Sequence, residues 1–184
     1  SQGNVLSGNT DAGIRLRGDD AVIAGNIVGL DAAGANAVAN TNDGIIIEGD
    51  NATIGGATTN LRNIVSGNAE SGIIITAGSN GTTVQNNYVG TNEAGTAARG
   101  NLHAGVNDQS GTNTRILDNV VSGNVRSGIS ISGGTGTVVQ GNIVGLNATG
   151  TGALGNGSEG INLGAGTSAA IVGGTSVAER NIIS

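Results

Sequence analysis

The sequence predicts an all-β solenoid: short parallel strands wound into about six coils that alternate short and long. Three observations carry this. An Asn followed by two mostly aliphatic residues recurs along the whole chain. A second marker, Gly followed by an aliphatic residue, keeps the same count. The residues after that Gly alternate with a period of two. The first marker stands at Asn4, Asn26, Asn63, Asn87, Asn119, Asn142 and Asn181, with gaps of 22, 37, 24, 32, 23 and 39 residues. The second stands at Gly13, Gly44, Gly72, Gly105, Gly128 and Gly160.

Each coil is read in the same order. Asn and its aliphatic pair form a short strand, and a Gly-rich turn follows, as in NIVSGNAESGIII. After the second Gly comes a strand of about five residues, as in GIRLRG, GIIIEG, GIIITAG, GISISG and GINLG. Period two places Ile14 and Leu16, Ile45 and Ile47, Ile73 and Ile75, Ile129 and Ile131, and Ile161 and Leu163 on one face. Strands this short cannot bury a face alone, so equivalent strands must stack coil on coil, in a rod of about 29 Å at about 4.8 Å per coil. The recurring Asn is expected to form a ladder, each side-chain amide bonding the next coil, because a buried amide needs such a partner.

Composition agrees. The 184 residues suit one domain, 1–184, and NIIS at Asn181 reads as the start of a seventh coil, so the chain is expected to be a segment of a longer repeat protein. There are 36 Gly and no Pro, Cys, Met, Trp or Phe, with one Tyr (Tyr88) and one His (His103). Without aromatic rings the core must be thin layers of Val, Ile, Leu and Ala. The absence of Cys excludes disulfides and thiolate metal sites. A net charge of −6, with seven Arg and no Lys, argues against nucleic acid or an anionic membrane as partner. No apolar run reaches the roughly 18 residues of a membrane span, and no signal peptide stands at Ser1.

SGNAESGIII, NIVGLNATGTGALGN and IVGGTSVAERNIIS resemble the right-handed parallel β-helix repeats of bacterial secreted and surface proteins, with the architecture of the pectin-lyase-like superfamily. The resemblance implies a right-handed coil and an extracellular or cell-surface location. It leaves function open, because that architecture carries lyases, glycoside hydrolases, epimerases, adhesins and phage tailspikes alike.

Function is therefore sought where the repeat departs from itself. Long coils carry insertions, NIVGLDAAGANAVANTNDGI, NYVGTNEAGTAARGNLHAGV and NIVGLNATGTGALGNGSEGI, expected to form three protrusions on one side about 10 Å apart. A second insertion places Arg62 and Arg180 before an Asn marker, where each would bond turn carbonyls. The first two coils bring Arg15 and Arg17 to the outer face, Arg17 beside Glu48 and Asp19 beside Asp50. Asp19 and Asp50 are the candidate metal ligands, for a hard cation such as Ca²⁺, against the alternative of a compensated solvated patch. In the fourth coil Asp108 takes a core position between Ile75 and Ile131, so it needs partners or a register shift. With His103, and Arg99 in its loop, it is the candidate catalytic set.

Lyases and hydrolases of β-helical type bring acidic clusters, a Lys or Arg base and often aromatic platforms on the outer strand face. Here those positions read Arg15, Ile46, Ile74, Asn107, Ser130, Asn162 and Arg17, Glu48, Thr76, Gln109, Ser132, Gly164. The expected function is a non-catalytic structural or adhesive stalk of a secreted or cell-surface protein, binding polysaccharide weakly or meeting copies of itself end to end. The alternative is a polysaccharide-active enzyme.

Overall fold

The structure, a computed structural model, describes residues 3–184. Each complete coil contributes three strands. Coil 1 holds β1 (Val5–Leu6), β2 (Ile14–Leu16) and β3 (Val22–Ile23); coil 2 holds β4 (Ile27–Val28), β5 (Ile45–Ile47) and β6 (Thr53–Gly55). Coil 3 holds β7 (Ile64–Val65), β8 (Ile73–Ile75) and β9 (Thr83–Gln85); coil 4 holds β10 (Tyr88–Val89), β11 (Val106–Gln109) and β12 (Arg115–Leu117). Coil 5 holds β13 (Val120–Val121), β14 (Ile129–Ser132) and β15 (Val138–Gln140); coil 6 holds β16 (Ile143–Val144), β17 (Ile161–Leu163) and β18 (Ile171–Val172). A last strand, β19 (Ile182–Ile183), begins the next coil.

Equivalent strands pair in parallel and in register, giving one sheet of seven strands and two of six, wound as a right-handed parallel β-helix. The strands are two to four residues long, shorter than the five expected, because each coil turns three corners. Two 3₁₀ turns, Thr59–Leu61 and Val177–Glu179, occupy the second insertions.

The core is a stack of aliphatic side chains. Val28, Val65, Val89, Val121 and Val144 come from the first sheet. The alternate positions of β5, β8 and β14 supply Ile pairs from the second. Ile54, Val84, Ile116 and Val139 come from the third. In-register β-branched side chains pack flat on their neighbours above and below, which suits an interior too narrow for rings.

The predicted ladder is present. Asn4 Nδ2 donates to Asn26 Oδ1 at 3.0 Å, and the rungs continue through Asn63, Asn87, Asn119, Asn142 and Asn181 at 2.9–3.1 Å. Each Oδ1 also accepts the backbone N–H of the Asn below it, as Asn87 Oδ1 does from Asn63 N at 3.1 Å. A second ladder, not expected from the sequence, runs Asn9, Asn40, Asn68, Asn101, Asn124 and Asn156 at 2.7–3.1 Å.

The second ladder accounts for the Gly marker. A Cβ on Gly72 would lie 2.6 Å from Val89 Cγ1, 2.7 Å from Asn101 Nδ2 and 2.8 Å from Gly105 O. The residue before the second-sheet strand must be Gly because the ladder and the next coil's carbonyl occupy its side-chain space.

The long loops depart from expectation in a definite way. They do not stand apart: Glu93 N–H donates to Gly34 O at 3.0 Å and Ala148 N–H to Gly95 O at 2.9 Å, so the three insertions stack into one ridge. Asp31 Oδ1, Asn92 Oδ1 and Asn147 Oδ1 each accept two backbone N–H groups from the far side of their own loop. The ridge folds onto the outer face of the first sheet, where Ile27, Ile64 and Leu30 are buried and Tyr88 packs beside them. That outer column is apolar in every coil (Val5, Ile27, Ile64, Tyr88, Val120, Ile143, Ile182), and the insertions cover its middle while Val5 and Ile182 at the two ends stay exposed.

Candidate functional site

The outer face of the second sheet, unlike that of the first, is not roofed by the long loops, although Ile46 in coil 2 is buried. Arg15, Ile46, Ile74, Asn107, Ser130 and Asn162 form one outward column, in the register read from the sequence. Over coils 4 to 6 this face is the floor of a groove of about 520 Å³, lined by Asn107, Gln109, Ser130, Ser132 and Asn162. One rim is the corner between the first and second sheets, with His103, Arg126, Ser71 and Ser127. Successive coils stack there through His103 N–H to Glu70 O at 3.1 Å and Arg126 N–H to His103 O at 3.2 Å.

His103 Nδ1 lies 2.7 Å from Glu70 Oε2, both side chains about two-fifths exposed. Asp43, in the adjoining column, is held above the ordinary carboxylate range by burial and further by Glu70, while the Ser71 N–H at 2.9 Å pulls the other way. Glu159 is drawn down by backbone and Ser127 hydrogen bonds, the Ser127 hydroxyl donating at 2.8 Å. The groove thus offers amides, hydroxyls, a guanidinium and an imidazole, with no aromatic platform among its lining residues.

Asp108 and His103 are not brought together. Asp108 keeps the strand in register between Ile75 and Ile131 and is fully buried inside the coil, whereas His103 sits on the outer rim. Its carboxyl has partners: Gly111 N–H donates to Oδ1 at 2.8 Å and Thr137 Oγ1 to Oδ2 at 3.3 Å. Burial pushes its pKa up, against the pull of Gly111 N–H and the neighbouring Thr114 and Thr137 hydroxyls. Arg99 lies elsewhere, its guanidinium bonded to the carbonyls of Ala35 and Ala98 in the loop ridge.

The charged patch on coils 1 and 2 is compensated. Arg15 Nη1 meets Glu48 Oε1 at 2.6 Å, Arg17 Nε meets Glu48 Oε2 at 2.9 Å, and Arg15 Nη2 reaches Asp11 at 3.3 Å. Glu48 is accordingly held low by Arg15 and then Arg17, and Asp11 by Asn42 and then Arg15. Asp19 and Asp50 stack as a third, shorter ladder. Asp19 Oδ1 accepts Asp50 N–H at 2.8 Å, and Asp50 Oδ1 accepts Asn80 N–H at 2.7 Å. Among the described residues no group of three or more His, Cys, Asp or Glu side chains gathers where a metal would sit.

Arg62 takes the structural place expected of it. Nε donates to Asn86 O at 3.1 Å and Nη2 to Asn86 Oδ1 at 2.7 Å, and the guanidinium lies 3.9 Å over the Tyr88 ring. The groove rim was missed although Glu70, His103 and Arg126 each stand two residues before a Gly marker, because their types differ from coil to coil and show no repeat.

Comparison with protein-family models, curated proteins and solved structures gives no significant match. The fold alone therefore defines the class: a right-handed parallel β-helix solenoid with a polar groove on its second sheet. No helix among the described residues is long and apolar enough to cross a membrane.

Proposed function

We propose that the chain is a structural or adhesive β-helical stalk of a secreted or cell-surface protein, with the second-sheet groove as a weak site for an extended polysaccharide. The observation that carries the reading is the groove itself: five amide and hydroxyl side chains in register along the rod axis, with no competing ladder bonds across its floor. Polar side chains at the strand spacing suit the hydroxyl pattern of a chain-like glycan, and single contacts too weak to hold a ligand add up when coils or copies repeat. Support for a non-catalytic role comes from the placement of Asp108 inside the core and of Arg15, Arg17 and Glu48 in mutual ion pairs. The likeness to the pectin-lyase-like architecture supports the extracellular setting.

A glycan array, followed by titration of hits against Asn107→Ala/Asn162→Ala, tests the groove. Binding weakened tenfold or more by the double substitution is expected, and binding indifferent to it defeats the assignment. Uronic-acid polymers incubated with and without Ca²⁺ are expected to release no unsaturated products. Turnover abolished by Asp19→Ala or Asp108→Ala establishes the polysaccharide-active enzyme instead.

A further inference from the structure

The least comfortable place in the interior is the corner of coil 4. Thr82, Thr114 and Thr137 stand one above another just before third-sheet strands, all essentially fully buried. The Thr137 hydroxyl is used, donating to Asp108 Oδ2. Thr82 Oγ1 and Thr114 Oγ1 are both shielded from solvent and close no full hydrogen bond within the protein, Thr114 Oγ1 only facing the Asp108 carboxyl whose pKa it draws down. An orphaned buried hydroxyl costs about 1–3 kcal/mol, and two in adjacent coils is an unusual burden for so narrow a core.

They cannot relieve each other directly. In-register parallel strands hold equivalent atoms about 4.8 Å apart, while an O–H···O bond needs about 2.8 Å. One water oxygen bonded to both hydroxyls spans up to about twice that bond length, enough to bridge adjacent coils. Such a water also needs two to four polar partners, and the corner supplies a third. Thr114 Oγ1 and Asp108 Oδ1 flank the same point: a Cβ on Gly111 would lie 2.6 Å from the first and 2.5 Å from the second. Oδ1 takes one bond, from Gly111 N–H, and keeps capacity for another. Ile75 and Ile131 lie above and below Asp108, and no charged side chain bonds to it, so nothing but polar contact can ease its ionised form.

We propose that coil 4 encloses one ordered water molecule bound by Thr82 Oγ1, Thr114 Oγ1 and the Asp108 carboxyl, a solvent site inside an otherwise aliphatic solenoid. It explains why Asp108 keeps the strand register instead of bulging: the carboxyl is hydrated in place. It also explains why Thr rather than Val stands at 82 and 114, where coil 2 has Ala52.

A crystal structure at atomic resolution tests this, with the expected result a single peak 2.6–3.1 Å from both Thr oxygens, in the ordinary hydrogen-bond range. No peak there overturns the proposal. So does a peak with shorter contacts that is replaced by rubidium or thallium on soaking, which assigns the site to a monovalent cation. In solution, ¹³C carboxyl titration reads Asp108 directly. Thr114→Val and Thr82→Val should each raise its apparent pKa by about half a unit or more, having lost the same water. An Asp108 titration unmoved in Thr82→Val, the milder of the two because Thr82 does not flank the carboxyl, overturns the site even where Thr114→Val fails to fold.

Discussion

At the scale of single residues, the molecule depends on side chains that are bonded twice. Asn87 Oδ1 accepts from both the backbone N–H and the Nδ2 of Asn63, and Asn87 Nδ2 donates to Ile54 O and Gln85 O. Asn87→Ala therefore orphans several buried groups and should cost about 3 kcal/mol, read as a lower urea midpoint with unchanged slope. The end rung Asn181→Ala should cost less, about 1 kcal/mol, since Asn181 is itself only partly buried and removing its side chain lets water in to the groups it frees on Asn142 and Val139.

Asp108 gives a pH test with a definite sign. A carboxyl whose folded pKa is raised by burial contributes stability that is complete below its unfolded value and is lost as pH rises through the folded one. Asp108→Asn removes that loss. The stability of the variant relative to the wild type should increase between about pH 4 and pH 7, and a difference that is flat over this range shows that Asp108 ionises without penalty. The exposed carboxyls held low by partners, Glu48 and Asp11, have the opposite sign, losing stability as pH falls through their depressed values. They are common to both proteins and cancel in the comparison.

At the scale of elements, alternation of long and short coils is a packing arrangement. Each long loop leans over the short coil beside it: Gly8 N–H donates to Val38 O, Gly67 N–H to Arg99 O and Gly123 N–H to Leu154 O, at 2.7–3.0 Å. Gly67 has φ +72°, and a Cβ there would meet Ala37 Cβ at 2.9 Å. Gly78 has φ +97° with nothing within 4 Å. Gly78→Ala should then cost about 1 kcal/mol for the left-handed backbone alone. Gly67→Ala should cost about 2–4 kcal/mol, because the loop must also move. Equal melting-temperature losses in the two variants dispose of the ridge as a packed element.

This scale also divides what was legible from what was not. The first Asn ladder, the Gly marker and the register of Asp108 were readable because each recurs at a fixed offset from a neighbour in sequence. The second ladder carried a signal that went unread: Asn9, Asn40, Asn68, Asn101, Asn124 and Asn156 each stand four residues before a Gly marker, an offset lost only when the count runs from the first Asn marker across insertions of different length. The third sheet was hidden for another reason. Its strands, such as Thr83–Gln85 and Arg115–Leu117, put only one aliphatic residue inward, too little for a periodic signal.

At the scale of the whole molecule, the described residues leave strand edges unpaired at both ends of the rod. Val5 and Val22 are exposed at one, and Ile171, Val172, Ile182 and Ile183 at the other, beside strand edges whose backbone groups await a partner. The 184-residue chain should self-associate end to end, with light scattering that grows with concentration and falls when Ile182 and Ile183 are changed to Lys. A strictly monomeric rod at high concentration removes end-to-end association from the proposed role.

By itself the sequence determined the architecture: a solenoid of parallel strands, six coils in two alternating lengths, an Asn ladder and an aliphatic core. It could do so because repetition converts a chemical requirement in one coil into a visible column. Only the tertiary structure decided what the departures from repetition do. It turned the loops into a roof over the apolar outer face of the first sheet and separated Asp108 from His103 by the thickness of a coil wall. It also made a groove of the outward columns that the spacing had aligned, by setting His103 and Arg126 along one rim. Those outcomes depend on which side chains meet across coils of unequal length, and sequence distance carries no record of that.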